Sequence, residues 1–438
     1  QFIVLAGEPG AGKSAVAKAL LTKSLNKENG YILIFKADEL INKNLRDIFL
    51  PFDIKLTLKE IFSHFPLQER NIVYVDSAEK LLEGEGIGFK QLMKSAEELP
   101  NVKFIISCRS VNLNLIERKF FYNKPYEKLD VPVLSEEELD LLEEKLPGIK
   151  KIRSNNRIIS LIKNPKYLDF AVKALKNNAE DFSELNEVEF VNSLWETIVE
   201  NKINANYDGL PLRRNNLFIE MSVKRAKKMQ PFIVLASPDL SALSCLEKDN
   251  VIVKSLNADA YAPAHDVLED WALVKFVSAQ YANKENDEDF FNKLGTEPAM
   301  RRAYRLWVQS VLKEQDSNKI DFFTRNLTST GLDRFWQDES LIAVLNSAYS
   351  EIFFDKNFNL LKENNWSVFF RIVHVMRTAC RENAGTAKDW KFLVPTGYGW
   401  VQVIKLIHQN LNNIPEQYHN LIVNIIGDWQ NKLLLTNE

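Results

Sequence analysis

The residues with the clearest chemical signature lie at the amino end, in the stretch GEPGAGKSA. It fits the template G-x-x-x-x-G-K-[ST], whose glycines let the backbone curl around phosphate oxygens and direct successive N–H groups inward. The Lys13 ammonium then meets the outer phosphates, and the Ser14 hydroxyl supplies an oxygen ligand for magnesium. The pattern predicts a nucleotide site formed by Gly7, Glu8, Pro9, Gly10, Ala11, Gly12, Lys13, Ser14 and Ala15.

The residues around this loop predict the strand and the helix that such a site requires. Phe2 to Ala6 is a short apolar run typical of a buried strand, and Val16, Leu20 and Ser24 recur at helical spacing after the loop. A helix that begins near Lys13 would direct its free N–H groups and the positive end of its dipole at the phosphates. This context favours a real site over a chance match.

A second candidate follows the apolar run NIVYVD, which ends at Asp76. A buried strand that delivers a carboxylate to its end is the Walker B pattern, and Asp76 would hold magnesium together with Ser14. The alternative is a strand that simply ends at a turn-forming Asp, and the preceding phosphate loop favours the metal role. Glu79 is the nearest carboxylate that could orient an attacking water, with a solvated helix residue as an equal alternative.

Arg109 follows another apolar run, VKFIISC, at residues 102–108. An arginine at the tip of a buried strand beside a phosphate site can sense the γ phosphate and stabilise charge during transfer, whereas capping the sheet edge is the alternative. Further strands are predicted at 31–37 and 127–131. Strands that alternate with helices predict a parallel sheet, with the ligand at the carboxyl ends of its strands. The predicted catalytic residues are Lys13, Asp76, Glu79 and Arg109.

Helical patterns replace strands after residue 134. Ser135 and Glu138 form a capping box at the start of one helix, and Pro165 must end or kink the pattern at 158–175. Amphipathic helices are predicted at 183–205 and 212–229, and we interpret the basic run KRAKK at the end of the latter as a solvated face.

Two later regions complete the predicted architecture. A short helix from Pro238 and a Val/Ile-rich strand look like the second half of a winged helix, and His265 follows another short strand and opens a helix. From about residue 285 onward, Trp, Phe and Leu recur at helical spacing, which predicts a helical-repeat array. The predicted fold is an α/β P-loop NTPase sheet domain (1–134), a small all-α helical domain (135–205), a winged helix (206–284) and a helical array (285–438).

Composition sets the broad class. The 438 residues suffice for two to four domains, and the net charge of −3 gives no overall basic field, so nucleic acid is not indicated as a partner. Three distant cysteines without a C-x-x-C pair predict reduced, structural thiols. No apolar stretch is long enough to cross a bilayer, so we expect a cytoplasmic protein without a membrane partner. Because Gln1 lies almost inside the first strand, we expect a segment of a longer polypeptide.

Taken together, GEPGAGKS, NIVYVD, FIISCR, LIKNP and AHDVLEDW resemble the STAND class of signal-transducing P-loop NTPases, relatives of the NACHT and NB-ARC proteins. The resemblance covers roughly residues 1 to 285. It implies that Arg109 is the first sensor, that Pro165 packs near the adenine, and that His265 holds the β phosphate of ADP at rest. HDVLEDW and the Trp-rich tail are similar to bacterial antiviral (Avs-type) STAND proteins, which sense phage proteins.

The resemblance implies a slow, regulated ATPase switch with ATP or ADP and Mg²⁺ as cofactors. ADP would keep it closed, and a protein ligand, phage-encoded in the narrower resemblance, would permit exchange for ATP and homo-oligomerisation. The sequence departs from the class at Ser77, which replaces the second acid after Asp76, so the residue that activates water stays open. The alternatives are an AAA+-like, DNA-associated motor or loader ATPase and a module that binds nucleotide without hydrolysing it.

Overall fold

The computed structural model describes residues 2–27, 31–63, 71–97, 102–121, 124–146, 148–176, 182–202, 209–255, 258–329, 331–383 and 393–436. The chain divides into two compact units, Gln1–Ala272 and Leu273–Glu438. The finer predicted divisions within the first unit stay predictions.

The first unit begins with a five-stranded sheet in which every neighbouring pair is parallel, as predicted. The strands lie in the order β2-β3-β4-β1-β5. Their bounds are β1 (Phe2–Gly7), β2 (Ile32–Lys36), β3 (Asn71–Asp76), β4 (Val102–Arg109) and β5 (Tyr126–Asp130). Gly7 pairs with Arg109 and Lys36 pairs with Asp76 in this register, so the carboxyl ends of β1, β2, β3 and β4 meet at one edge.

Helices connect these strands because parallel neighbours require crossover connections. Two short 3₁₀ segments matter for the site, since Ala37–Leu40 follows β2 and Ala78–Glu83 follows β3. The α-helices of this region are α1 (Lys13–Lys27), α2 (Leu45–Phe49), α3 (Leu58–Ser63), α4 (Ile87–Glu97) and α5 (Leu113–Ile116).

The helical part of the first unit confirms two local predictions. Ser135 and Glu138 form the predicted capping box. One helix ends shortly before Pro165, and Pro165 begins the next helix. The elements are α6 (Glu136–Lys145), α7 (Ile149–Arg153), α8 (Ile159–Ile162), α9 (Pro165–Lys176), α10 (Glu187–Trp195), α11 (Leu210–Lys228), α12 (Leu240–Lys248), β6 (Ile252–Lys254), β7 (Tyr261–Pro263) and the first residues of α13 (Asp266–Ala282), since the boundary between the units falls within that helix. Strands β6 and β7 pair antiparallel after two helices, and the winged helix stays a prediction.

The interpretation of the basic run in α11 as a solvated face is wrong for Arg225. Its side chain is 3% exposed because it pairs with Glu269, which is equally buried.

The second unit is mainly helical, and its core contains several large aromatic side chains. Phe290, Tyr304, Trp307, Phe322 and Trp336 are all buried. Its elements are α14 (Asp287–Leu294), α15 (Pro298–Glu314), α16 (Ser317–Thr328), α17 (Arg334–Asn346), α18 (Ser350–Ala379, broken by non-helical residues 363–366), β8 (Arg381–Asn383), β9 (Leu393–Pro395), α19 (Gly399–Asn410) and α20 (His419–Thr436). A true repeat array stays a prediction. None of the helices within the described residues is both long and apolar enough to span a bilayer.

Candidate functional site

The glycine-rich loop joins β1 to α1, as predicted. Gly10 and Gly12 have φ values of +81° and +92°, in the left-handed region where side chains are disfavoured. A Cβ on Gly10 would also lie 2.6 Å from Asn164 Oδ1, and Asn164 Nδ2 donates to the carbonyl of Pro9 at 2.7 Å. The loop therefore packs closely against the residues just before α9.

Lys13 lies across this loop. Its ammonium donates to the carbonyls of Gly7 (3.1 Å) and Glu8 (2.8 Å). Burial lowers the pKa of Lys13, an effect that nearby carboxylates such as Glu79 partly oppose. A phosphate group in the loop would replace these two neutral acceptors with charged ones.

Asp76 lies next to Ser14, as a magnesium site requires. Asp76 Oδ1 accepts hydrogen bonds from Ser14 Oγ (2.9 Å), Tyr74 Oη (2.7 Å) and Ser107 Oγ (2.6 Å). Asp76 Oδ2 accepts none from the described residues. One carboxylate oxygen is thus fixed in place, and the other is available to a cation.

The donor set fits Mg²⁺. The ion prefers hard oxygen ligands and usually keeps one or two carboxylates, with phosphates and waters completing its shell. Within the described residues, no group of three or more His, Cys, Asp or Glu could hold a metal alone. An ion bound at Ser14 and Asp76 would complete its shell with waters and with the phosphates of a nucleotide.

Glu79 is buried, with only 6% of its surface exposed, so the solvated alternative is wrong. It accepts hydrogen bonds from the backbone N–H of Arg109 (3.2 Å) and from Arg109 Nε (3.1 Å). Both carboxylate oxygens are engaged by these contacts. A role for Glu79 in orienting water stays a prediction.

Arg109 makes two further contacts, both to α13. Nη1 donates to Asp270 Oδ2 at 2.9 Å, and Nη2 lies 3.2 Å from Asp266 Oδ2. Burial alone would lower the pKa of Arg109, but Asp270, Asp266 and Glu79 together hold it above its ordinary value. The predicted sensor therefore sits among three carboxylates in this arrangement.

More charged residues join this group. Lys80 Nζ lies 3.2 Å from Asp38 Oδ2 and 3.8 Å from Asp266 Oδ1, and Arg225 Nη2 donates to Glu269 Oε2 at 2.8 Å. We use the name ionic cluster for Asp38, Glu79, Lys80, Arg109, Arg225, Asp266, Glu269 and Asp270. It connects the sheet to α11 and α13.

His265 directly precedes α13, and its carbonyl accepts from the N–H groups of Leu268 (3.1 Å) and Glu269 (3.2 Å). Its ring packs edge-on against Phe170, with 6.1 Å between centroids. Burial, then the charges of Lys166 and Lys173, lower the pKa of His265 to about 4, so the imidazole is neutral at pH 7. A neutral imidazole can still donate one hydrogen bond to a phosphate.

A cavity of about 450 Å³ connects these parts. Of the predicted site residues, it brings together Pro9, Gly10, Gly12, Lys13, Ser14, Ala15, Asp76, Glu79 and His265. Its lining does not include Gly7, Glu8, Ala11, Arg109 or Pro165, although Lys166 beside Pro165 is part of it.

Sequence reasoning missed Asn164, Lys166 and most of the ionic cluster. One available signal was the spacing of Asp266 and Asp270, which places both on one helix face.

No family model and no curated protein matches the chain. Among solved structures, the ORC2 protein of Aeropyrum pernix in ADPNP and ADP complexes is similar at 13% identity and a TM-score of 0.34, over 65% of this chain and 89% of that chain. Drosophila ORC bound to DNA is similar at 17% identity and a TM-score of 0.30, over 59% of this chain and 85% of that chain. The ORC1 protein of Aeropyrum pernix in complex with DNA is similar at 14% identity and a TM-score of 0.29, over 64% of this chain and 88% of that chain. TM-scores this low support no argument about activity.

Proposed function

We propose that the chain is a nucleotide-gated P-loop ATPase switch. The observation that supports this best is the cavity itself, which has the glycine-rich loop, Ser14 and Asp76 on one wall and the start of α13 on another. A nucleotide in this cavity would contact both the sheet and α13. Its phosphates would therefore influence how these two parts are held together.

Each residue near the loop has a defined part in binding. Lys13 would exchange the carbonyls of Gly7 and Glu8 for the β and γ phosphates, and the N-terminus of α1 would add its free N–H groups. Ser14 and Asp76 would hold magnesium, which neutralises phosphate charge when bound. His265 would donate to a phosphate from the α13 side, which agrees with the ADP latch that the resemblance implies.

The switch follows from charge. A γ phosphate adds negative charge beside the carboxylates of α13, and it offers Arg109 an alternative acceptor to Asp266 and Asp270. ATP would thus favour separation of α13 from the sheet, whereas ADP would tolerate the closed cluster. Two nucleotides shift an equilibrium only if they prefer different states, and this difference in charge supplies the preference.

The biological role is a proposal by resemblance. A protein ligand would trigger exchange and homo-oligomerisation, and the antiviral STAND proteins suggest a phage-encoded one. The solved structures named above correspond to the DNA-associated alternative, but their low TM-scores do not support it. Light scattering measures the oligomeric state of the chain with ATP and Mg²⁺. Adding candidate phage proteins in one experiment and DNA in another distinguishes the signalling switch from the DNA-associated ATPase. Assembly with nucleotide alone or with DNA would contradict the signalling proposal.

Nucleotide binding is tested by calorimetric titration of Lys13→Ala with ATP and ADP. Loss of a charge-assisted contact worth about 1.5 to 3 kcal/mol should weaken affinity roughly 10- to 100-fold. Lys18→Ala is the matched control, because Lys18 is an exposed lysine on the same helix. Equal affinities for wild type and Lys13→Ala would overturn the nucleotide site.

A further inference from the structure

The hydrolytic step needs a carboxylate that can orient water, and the cavity offers several candidates. This inference rests on the proposed function. The carboxylates that line the cavity are Asp38, Asp76, Glu79, Asp266 and Glu269. Asp76 is assigned to magnesium, which leaves four.

Three of the four are already occupied by cations. Both oxygens of Glu79 accept from Arg109, and both oxygens of Glu269 contact Arg225. Asp266 contacts Arg109 through one oxygen and Lys80 through the other. A water at any of these three carboxylates would have to share an oxygen with a group that already contacts it.

Asp38 is different. Its Oδ2 pairs with Lys80, but its Oδ1 is buried and has no hydrogen-bond partner within the described residues. A buried carboxylate oxygen without a donor is costly, so it marks a position where a donor is missing. Asp38 also lies just beyond Lys36, which pairs with Asp76 in the sheet, so it stands at the metal end of the cavity.

We propose that Asp38 is the carboxylate that orients the attacking water and accepts its proton. The water oxygen forms a bond to the γ phosphorus while the bond from that phosphorus to the β–γ bridging oxygen breaks. The electron pair of the broken bond stays on ADP, and the proton of the water passes to Asp38 Oδ1. The products are ADP, phosphate and a proton that Asp38 returns to solvent.

The same geometry couples this step to the switch. Lys80 bridges Asp38 and Asp266, and Asp38 Oδ1 makes no contact with solvent in the closed arrangement. We expect water to reach this oxygen when Lys80 loses its contact with Asp266 as α13 withdraws. Hydrolysis would follow opening and would return the switch to its ADP state.

The test compares Asp38→Asn with Glu39→Gln in single-turnover hydrolysis of ATP, with the full chain in excess and followed for hours. Glu39 is a matched control because it lies in the same 3₁₀ segment and accepts from the Lys36 N–H, which glutamine also allows. Asp38→Asn should lower the rate about 100-fold or more, whereas its affinity for a fluorescent ATP analogue should change by less than about threefold. Hydrolysis by Asp38→Asn at the wild-type rate would overturn the inference.

A second variant guards against a merely structural effect. Asp38→Ala should regain activity with added formate, which supplies the missing carboxylate, whereas Asp76→Ala should not. A slow Asp38→Ala with a lowered melting temperature and no rescue would assign Asp38 a structural role and overturn the inference. Wild type that binds ATP without hydrolysing it would also overturn it. Wild type that does not bind ATP would instead refute the proposed function.

Discussion

The two compact units differ in the charged residues that they bury. In the first, Arg109, Arg225 and their carboxylate partners Glu79, Glu269 and Asp270 are all buried. In the second, Glu339 is the only charged residue among those described that is buried, and its partner Arg305 is 37% exposed. The hydrophobic part of that core combines aliphatic side chains with large aromatic ones.

The first unit therefore buries contacts that a change in charge can alter, whereas the second unit mainly buries contacts that do not depend on charge. Burying an ion pair costs desolvation energy that an apolar core avoids, so such pairs are weak evidence for stability. Buried ion pairs nevertheless respond to a change in charge, because an added charge nearby can attract one partner and separate the pair. Aromatic packing in the second unit offers no comparable response to a phosphate, since it depends on contact area and shape.

The largest expected effect comes from Arg225→Ala. This variant leaves the buried Glu269 carboxylate without the guanidinium that contacts both of its oxygens. The loss should lower the free energy of unfolding by about 3 to 5 kcal/mol. Urea denaturation measures this. The double variant Arg225→Met/Glu269→Leu should recover most of the loss, because an apolar pair needs no partner charge. A double variant as unstable as the single one would contradict the comparison.

A smaller effect is expected from Asp266→Asn, which weakens contacts to both Arg109 and Lys80. Charge-assisted contacts are worth about 1.5 to 3 kcal/mol, so ADP should dissociate roughly tenfold faster or more. Stopped-flow release of a fluorescent ADP analogue measures the rate. Asp259→Asn, which alters an exposed carboxylate near β7, should release ADP at the wild-type rate. Equal rates for Asp266→Asn and wild type would separate the ionic cluster from nucleotide release.

Arg305→Ala in the second unit should cost only about 1 kcal/mol. Arg301 stays 3.7 Å from Glu339, and both arginines are partly solvated. Denaturation measures the loss, and calorimetry should show unchanged ATP affinity. A loss as large as that of Arg225→Ala would show that the two units bury charge in the same way.

A further expected effect concerns the response of the first unit to acid. Because the pKa of His265 falls from its ordinary value of 6.5 to about 4 in the folded chain, the unfolded chain takes up a proton first as pH falls. His265 therefore stabilises the fold above about pH 6.5, and this contribution is lost progressively between about pH 6.5 and 4. His265→Gln should lose less stability than wild type over that window in pH-dependent denaturation. Parallel curves would contradict the shift.

Local patterns predicted the phosphate loop, Asp76 and the strand that ends at Arg109, because each depends on consecutive residues. Most of the ionic cluster could not be predicted, since the type of a charged residue does not show which distant residue lies opposite it. Arg225 illustrates the limit. Its basic neighbours suggested a solvated face, yet Phe218, Met221 and Arg225 follow one another at helical spacing along the buried face of α11.

The order in which these contacts form follows from their separation along the chain. Arg109 and Glu79 are 30 residues apart, whereas Arg109 and Asp270 are 161 apart. Closing the longer loop costs about 1.5 kcal/mol more in conformational entropy, so we expect the sheet side of the cluster to form before α13 docks. During synthesis the glycine-rich loop is complete long before Asp270 leaves the ribosome, so the loop emerges before α13 can cover it.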